Sequence, residues 1–153
     1  MALCAAALIA TAAQAEPEGC YHRSYDAAHL AAHPAQVVEA ISMNFTRDQY
    51  GLNVALDVIS ADGGHVGALG LGGLHFDQSL SCYQDDPVAC AVDCDGGSFT
   101  VVRDTGDVLD IRTEHLTVGA TEECGGAINI AEQVGAPTTY RLYKSAPEAC
   151  VVN

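Results

Sequence analysis

The sequence predicts a mainly β protein, an antiparallel β-sandwich or small barrel of about seven to nine short strands with one short N-terminal helix. Three observations predict it. Short segments with alternating apolar and polar residues follow one another at close spacing, and only one mature segment has helical character. Cysteines lie near both ends and in the middle of the chain, which predicts a fold stapled by disulfides.

The N-terminus has the features of an export signal. Residues 2–15 contain no charge and are dominated by alanine, leucine and isoleucine, and they end in Ala13-Gln14-Ala15, a small-x-small cleavage pattern. We interpret residues 1–15 as a signal peptide, cleaved before Glu16, and residues 16–153 as a single exported domain. Neither Cys4 nor Cys20 follows a lipobox, so we expect no membrane anchor.

The cysteine count agrees with export. Loss of Cys4 with the signal leaves six of the seven cysteines, an even number typical of a compartment that oxidises thiols. We therefore expect a periplasmic or secreted protein. The sequence alone cannot choose among the pairings that six cysteines allow, and we favour Cys20 with Cys150, Cys82 with Cys90, and Cys94 with Cys124.

The first half of the mature chain predicts a helix and then a hairpin. Residues 26–32 form the one helix that we predict in the mature chain, because Ser24 or Asp26 can cap it and Pro34 ends it. Residues 37–46 and 52–58 then have a period of two around a turn at 47–51, which predicts an antiparallel hairpin. The glycine-rich residues 65–74 are predicted as a weak strand with a bulge or bend.

The second half of the chain predicts further strands. Residues 76–83 have extended character, and residues 99–104 and 108–113 flank a turn at 105–107, which predicts a second hairpin. Residues 115–118, 127–130 and 138–143 supply shorter strands. The chain has no tryptophan, so its tyrosines are the larger aromatic residues, and they suit either a core rim or a binding face.

The net charge of the chain indicates which kinds of partner it can bind. Twenty acidic and six basic side chains give a formal net charge of −14, which argues against nucleic acid and anionic membranes as partners. The electrostatic match is an unknown protein partner or a small cationic ligand. The same charge also serves simply to keep a small exported domain soluble.

Four residues near the helix suggest a metal site. His22, Asp26, His29 and His33 are spaced by four, three and four residues, which would place them on one face if the helix extended back to Tyr21. Imidazole nitrogens one turn apart can share a Zn or Cu ion, and a carboxylate can complete the set. The alternative interpretation is a partly exposed, structural histidine face.

No catalytic arrangement is evident in the sequence. None of the serines lies in a G-x-S-x-G context, and the mature cysteines are expected to be oxidised. We therefore expect no enzyme but a small secreted or periplasmic binding module, such as an inhibitor or accessory protein, with loops on a rigid β scaffold. The alternative is a periplasmic Zn- or Cu-binding protein that uses the His/Asp set.

Overall fold

The computed structural model describes residues 16–83, 86–121 and 126–151 of the chain. The predicted signal peptide and Cys124 lie outside these residues. The described chain contains short helices α1 (Ala27–Ala32) and α2 (Gly64–Ala68) and a 3₁₀ turn (Pro147–Cys150). Its strands are β1 (Gly19–Ser24), β2 (Val38–Asp48), β3 (Gly51–Ser60), β4 (His75–Tyr83), β5 (Ala89–Ala91), β6 (Gly97–Asp104), β7 (Val108–Val118), β8 (Ile128–Asn129) and β9 (Thr138–Lys144).

The strands form a closed antiparallel barrel of eight strands, and β8 is added at one end of β7. From β1 to β7 each strand pairs with its neighbour in sequence. β9 then pairs with β7 on one side and with β1 on the other, which closes the barrel. The predicted fold class is confirmed, and of its two forms the barrel is the one observed.

The barrel interior is filled by side chains. Along β3 and β9 the inward side chains alternate with outward ones, as a period of two requires. Aromatic rings meet edge to face at the centre, with ring centroids 6.0 Å apart for Tyr21 and Phe45 and 6.5 Å apart for Phe45 and Phe99. The largest fully buried side chains are Tyr21, Ile41, Met43, Phe45, Leu56, Phe99, Leu109, Ile111, Leu116, Ile130, Tyr140 and Leu142.

The predicted helix and both predicted hairpins are present. α1 begins after Asp26, whose carboxylate accepts a hydrogen bond of 2.8 Å from the His29 amide, and so satisfies a free N–H of the first turn. β2 and β3 pair as the predicted antiparallel hairpin, with Met43 opposite Leu56. β6 and β7 form the second hairpin, and β7 continues through the segment predicted as a separate strand at 115–118.

One local prediction is wrong. Residues 64–68 form α2 and not part of a weak strand, because Val66 is fully buried and Gly67 packs on the preceding turn. A Cβ at Gly67 would lie 2.2 Å from the Asp62 carbonyl oxygen, so this close approach requires glycine. The condition for a shared face of the four metal-site residues is not met, because residues 19–24 form β1, which places Tyr21 in the core.

Disulfides join one pair of residues far apart in the sequence and one pair on neighbouring strands. The structure pairs Cys20 with Cys150, and Cys82 with Cys90 across the β4–β5 ladder, as we predicted. Cys94 is disulfide-bonded, and its pairing with Cys124 stays a prediction because Cys124 is outside the described residues. These bridges indicate an oxidising compartment.

Among the described helices, none is long and apolar enough to cross a membrane.

Candidate functional site

A groove opens where the barrel closes on itself. β1 and β9 pair at only two positions, Tyr21 with Lys144 and His22 with Tyr143. Beyond them the strands diverge, because β1 leads into α1 while β9 stays paired with β7. The resulting ring-stack groove has a volume of about 450 Å³ and is lined by Arg23, Tyr25, His29, His33, Gln36, Asp110, Glu132, Thr139, Tyr140, Arg141 and Tyr143.

One wall of the groove is a row of stacked π systems. The ring centroids of Tyr25 and His29 are 4.7 Å apart, and those of His29 and His33 are 4.1 Å apart. The Arg23 guanidinium lies 5.0 Å from the Tyr25 ring centroid and 5.2 Å from that of Tyr143. It also donates a hydrogen bond of 2.9 Å to the Tyr143 hydroxyl. The side chains of β1, α1 and β9 are thereby joined across the gap by cation–π and hydrogen-bond contacts.

The histidines of this wall are held by α1. Asp26 caps the start of α1. His29 and His33 are four residues apart, which is about one helical turn. His29 Nε2 is 2.9 Å from the Gln36 side-chain oxygen, and His33 Nδ1 donates to the His29 carbonyl at 2.8 Å. Gln36 in turn donates a hydrogen bond of 2.7 Å to the Val38 carbonyl. One nitrogen of each imidazole is therefore used to hold the stack in place.

The structure does not gather the four predicted metal ligands on one helix face. His22 lies on β1 and its ring nitrogen is 3.2 Å from the Ser24 hydroxyl, beside a different, smaller pocket that also contains His75. Asp26 uses its carboxylate to cap α1. Only His29 and His33 come together in the groove. Within the described ranges, no group of three histidine, cysteine or acidic residues is placed to hold a metal ion.

The opposite wall comes from β7 and β9. Arg141 donates two hydrogen bonds to the Asp110 carboxylate, of 2.7 and 2.8 Å. These bonds lower the pKa of Asp110 below its ordinary value, against the effect of burial. The positive charge of Arg141 is therefore already matched, which leaves Arg23 and Glu132 as the other charged groups of the groove.

Tyrosines form the floor and one side of the groove. The buried Tyr140 hydroxyl donates a hydrogen bond of 2.6 Å to the Ile130 carbonyl, and burial raises its pKa well above the ordinary value. Burial also raises the pKa of Tyr25. Both phenols therefore stay protonated at neutral pH; Tyr140 donates its proton to the Ile130 carbonyl, and the Tyr25 hydroxyl is available as a donor. Tyr50, by contrast, is 88% exposed at the β2–β3 turn, at the other end of the barrel.

The groove offers both hydrogen-bond donors and acceptors. In the part of the chain that the structure describes, the Tyr25 hydroxyl and the remaining guanidinium N–H groups of Arg23 can donate to a ligand, and His33 Nε2 can accept because Nδ1 carries the proton. Thr139 and Glu132 add a hydroxyl and a carboxylate. Such an arrangement is suited to polar groups and planar groups, and among the described residues that line it no nucleophile is paired with a base.

Sequence reasoning identified His29 and His33 but missed Arg23, Arg141 and Glu132. The alternation along β9 places Arg141 and Tyr143 on one face, so that part of the signal is present in the sequence. The pairing of β1 with β9 brings together residues about 120 positions apart, and no local sequence pattern predicts this pairing.

No protein-family model, curated protein or solved structure matches this chain in the comparisons made. A function for this protein is therefore inferred from the chemistry of the ring-stack groove.

Proposed function

We propose that this protein is a small secreted or periplasmic binding module, an inhibitor or accessory protein that recognises a protein partner through the ring-stack groove. The observation that carries the proposal is the gathering of Arg23, Tyr25, His29, His33 and Tyr143 in one open cleft. Tyrosine and arginine are the residues that most often dominate binding energy at protein interfaces.

The barrel supports such a role because it holds the groove rigidly. Tyr143 and Arg141 lie on a strand that is paired with β7 along its length, and His29 lies on a capped helix. A preorganised site loses little conformational entropy when it binds. The Cys20–Cys150 bridge adds to this rigidity, since it joins β1 to the C-terminal 3₁₀ turn.

The charge of the protein supports a basic partner. A net charge of −14 attracts a positively charged protein over long range and repels other acidic molecules. Such attraction raises association rates and weakens as ionic strength rises. The long-range field would select the partner, and contacts in the groove would hold it.

Affinity capture tests the proposal. The mature protein is immobilised and exposed at low salt to periplasmic extract and culture medium of its source, beside the variants Arg23→Ala and Tyr143→Ala. Truncation of an interface hot spot costs about 2 kcal/mol or more, which lowers affinity roughly thirtyfold. We expect both variants to lose the captured protein.

Tyr50→Ala is the matched control, since it removes an exposed tyrosine at the other end of the barrel. It should capture the same partner as the wild type. Capture that survives both groove substitutions, or a wild-type protein that retains nothing at low salt, would contradict the proposed function.

A further inference from the structure

The edge of β9 that faces the ring-stack groove carries backbone groups without a strand partner. The backbone groups of alternate residues in an antiparallel strand point to the same neighbour. The Lys144 amide donates to the Asp107 carbonyl at 2.9 Å, so Lys144, Leu142 and Tyr140 point towards β7. Tyr143, Arg141 and Thr139 therefore point towards β1.

Of these three residues, only Tyr143 has a strand partner on this side within the described part of the chain. Tyr143 pairs with His22, and the next position on that side would join Arg141 to Ser24. The ladder stops before it, because β1 turns away to α1 after Ser24 and the Tyr25 amide instead bonds to the Glu39 carbonyl, at 2.9 Å. Within the described residues, no strand pairs with this side of Arg141 or Thr139.

We infer that the ring-stack groove takes an extended polypeptide segment of the partner, which adds as a strand to the open edge of β9 at Thr139 and Arg141. The inference rests on the proposed binding function and specifies the form of its ligand. Unpaired amide and carbonyl groups at strand spacing recognise the main chain of an extended peptide. The cleft volume of about 450 Å³ is that of a ligand-binding site.

The walls of the groove fit the side chains of such a segment. Side chains of an added strand alternate between the two faces of the sheet, so those on the outer face lie beside Thr139 and Arg141, which point outward on β9. The donors of Arg23 and Tyr25 then meet acceptors of the bound segment from the other wall. A second copy of this chain is a poor occupant, because two copies of charge −14 repel each other.

A random nonapeptide display library tests the inference on the wild-type protein and on Thr139→Pro. Proline removes the N–H that points into the groove and leaves the β7 ladder unchanged, since proline is accepted at a strand edge. Thr139→Val keeps the amide and is the matched control. We expect peptides selected on the wild type to bind Thr139→Val similarly and Thr139→Pro at least about tenfold more weakly.

Two measurements on the wild type make the test independent of whether the proline variant folds. The first is amide hydrogen exchange: in the free protein the amides of Thr139 and Arg141 should exchange faster than those of Tyr140 and Leu142, and the bound peptide should slow them. The second is a copy of the selected peptide that is N-methylated at alternate residues, which cannot pair as a strand. It should lose binding.

Each contrary outcome overturns strand addition. These outcomes are a library that yields no binder, a peptide whose N-methylated form binds equally, and binding that leaves the amides of Thr139 and Arg141 unprotected. Self-association of the chain through this edge, seen by sedimentation, would also overturn it. Failure of the proposed function is distinguishable, because then Arg23→Ala and Tyr143→Ala would leave partner capture intact.

Discussion

Arg141 and Asp110 lie directly opposite each other on β9 and β7 and share two hydrogen bonds, of 2.7 Å from Nε and 2.8 Å from Nη2. The Asp110 residue is 6% exposed, whereas half of the Arg141 side chain is open to solvent. The pair thus joins a nearly buried carboxylate to the outer wall of the ring-stack groove. Because the pair depends on an ionised Asp110 carboxylate, one wall of the groove is sensitive to acid.

We expect Asp110→Asn to have a pH-dependent effect on stability. The bonds from Arg141 hold the pKa of the Asp110 carboxyl below its ordinary value of 3.8. A group whose pKa is lower in the folded state stabilises the fold above the unfolded pKa, and this stabilisation is lost as pH falls through the folded pKa. The difference in free energy of unfolding between wild type and Asp110→Asn should be constant near neutral pH and shrink below about pH 4.

Urea denaturation over a pH series measures this difference. Asp107→Asn is the control, because Asp107 is exposed in the β6–β7 turn and its substitution should have little effect. A difference between wild type and Asp110→Asn that does not change with acid would rule out the lowered pKa.

We expect Tyr140→Phe to destabilise the protein by about 1–3 kcal/mol, since it leaves the buried Ile130 carbonyl without its donor. The Tyr140 hydroxyl bonds to that carbonyl at 2.6 Å, and the residue is only 2% exposed. Chemical denaturation gives the change. Tyr50→Phe, at an 88% exposed position, is the matched control and should be nearly neutral; equal effects of the two substitutions would refute the role of the hydroxyl.

The Cys20–Cys150 and Cys82–Cys90 disulfides should differ in their contribution to stability. The Cys20–Cys150 bridge closes a loop with a sequence separation of 130, and the Cys82–Cys90 bridge one of 8. In the chain-entropy model these loops correspond to about 5 and about 2.5 kcal/mol. Replacing both cysteines of the first bridge by alanine should therefore cost about 2.5 kcal/mol more than the same change in the second.

Denaturation under non-reducing conditions compares the two double variants. A thiol titration of the native protein is the companion measurement, and it should find the cysteines of both bridges unreactive. Reactive thiols at these positions, or a larger loss from the Cys82–Cys90 variant, would disagree with the prediction.

We expect Zn or Cu to leave the melting temperature unchanged. A metal that binds the folded state must raise its apparent stability. His29 and His33 each commit a ring nitrogen to Gln36 or to the helix backbone, and His22 lies on a different element. A thermal melt with metal and with chelator measures the effect. A rise in melting temperature with metal that is absent in both His29→Ala and His33→Ala would contradict this prediction and support the metal site.

Local patterns predicted much of this fold because they depend on neighbours in sequence. The alternation from Ile41 to Phe45 sets which side chains enter the core, and Asp26 and Pro34 set the limits of α1. The weak strand predicted at residues 65–74 was wrong, because Gly67 is required by a close contact with Asp62 and not by a bulge. Such a contact exists only after the turn has folded.

The candidate site was predicted only in part. His29 and His33 share a helix face, which their spacing showed, but the same spacing rule carried His22 into a helix that does not include it. The burial of Tyr21 in the barrel favours the strand there, and tertiary packing overrides the local helical spacing.

The sequence by itself determined the strand-rich class, the two hairpins, the short capped helix and an acidic chain with paired cysteines, because period, caps and turn residues act over a few positions. Only the tertiary structure decided that the strands close into a barrel through β1 and β9, and that this seam stays partly open. The reason is that pairing between residues more than 100 positions apart depends on the register and packing of the whole sheet, which no short segment encodes.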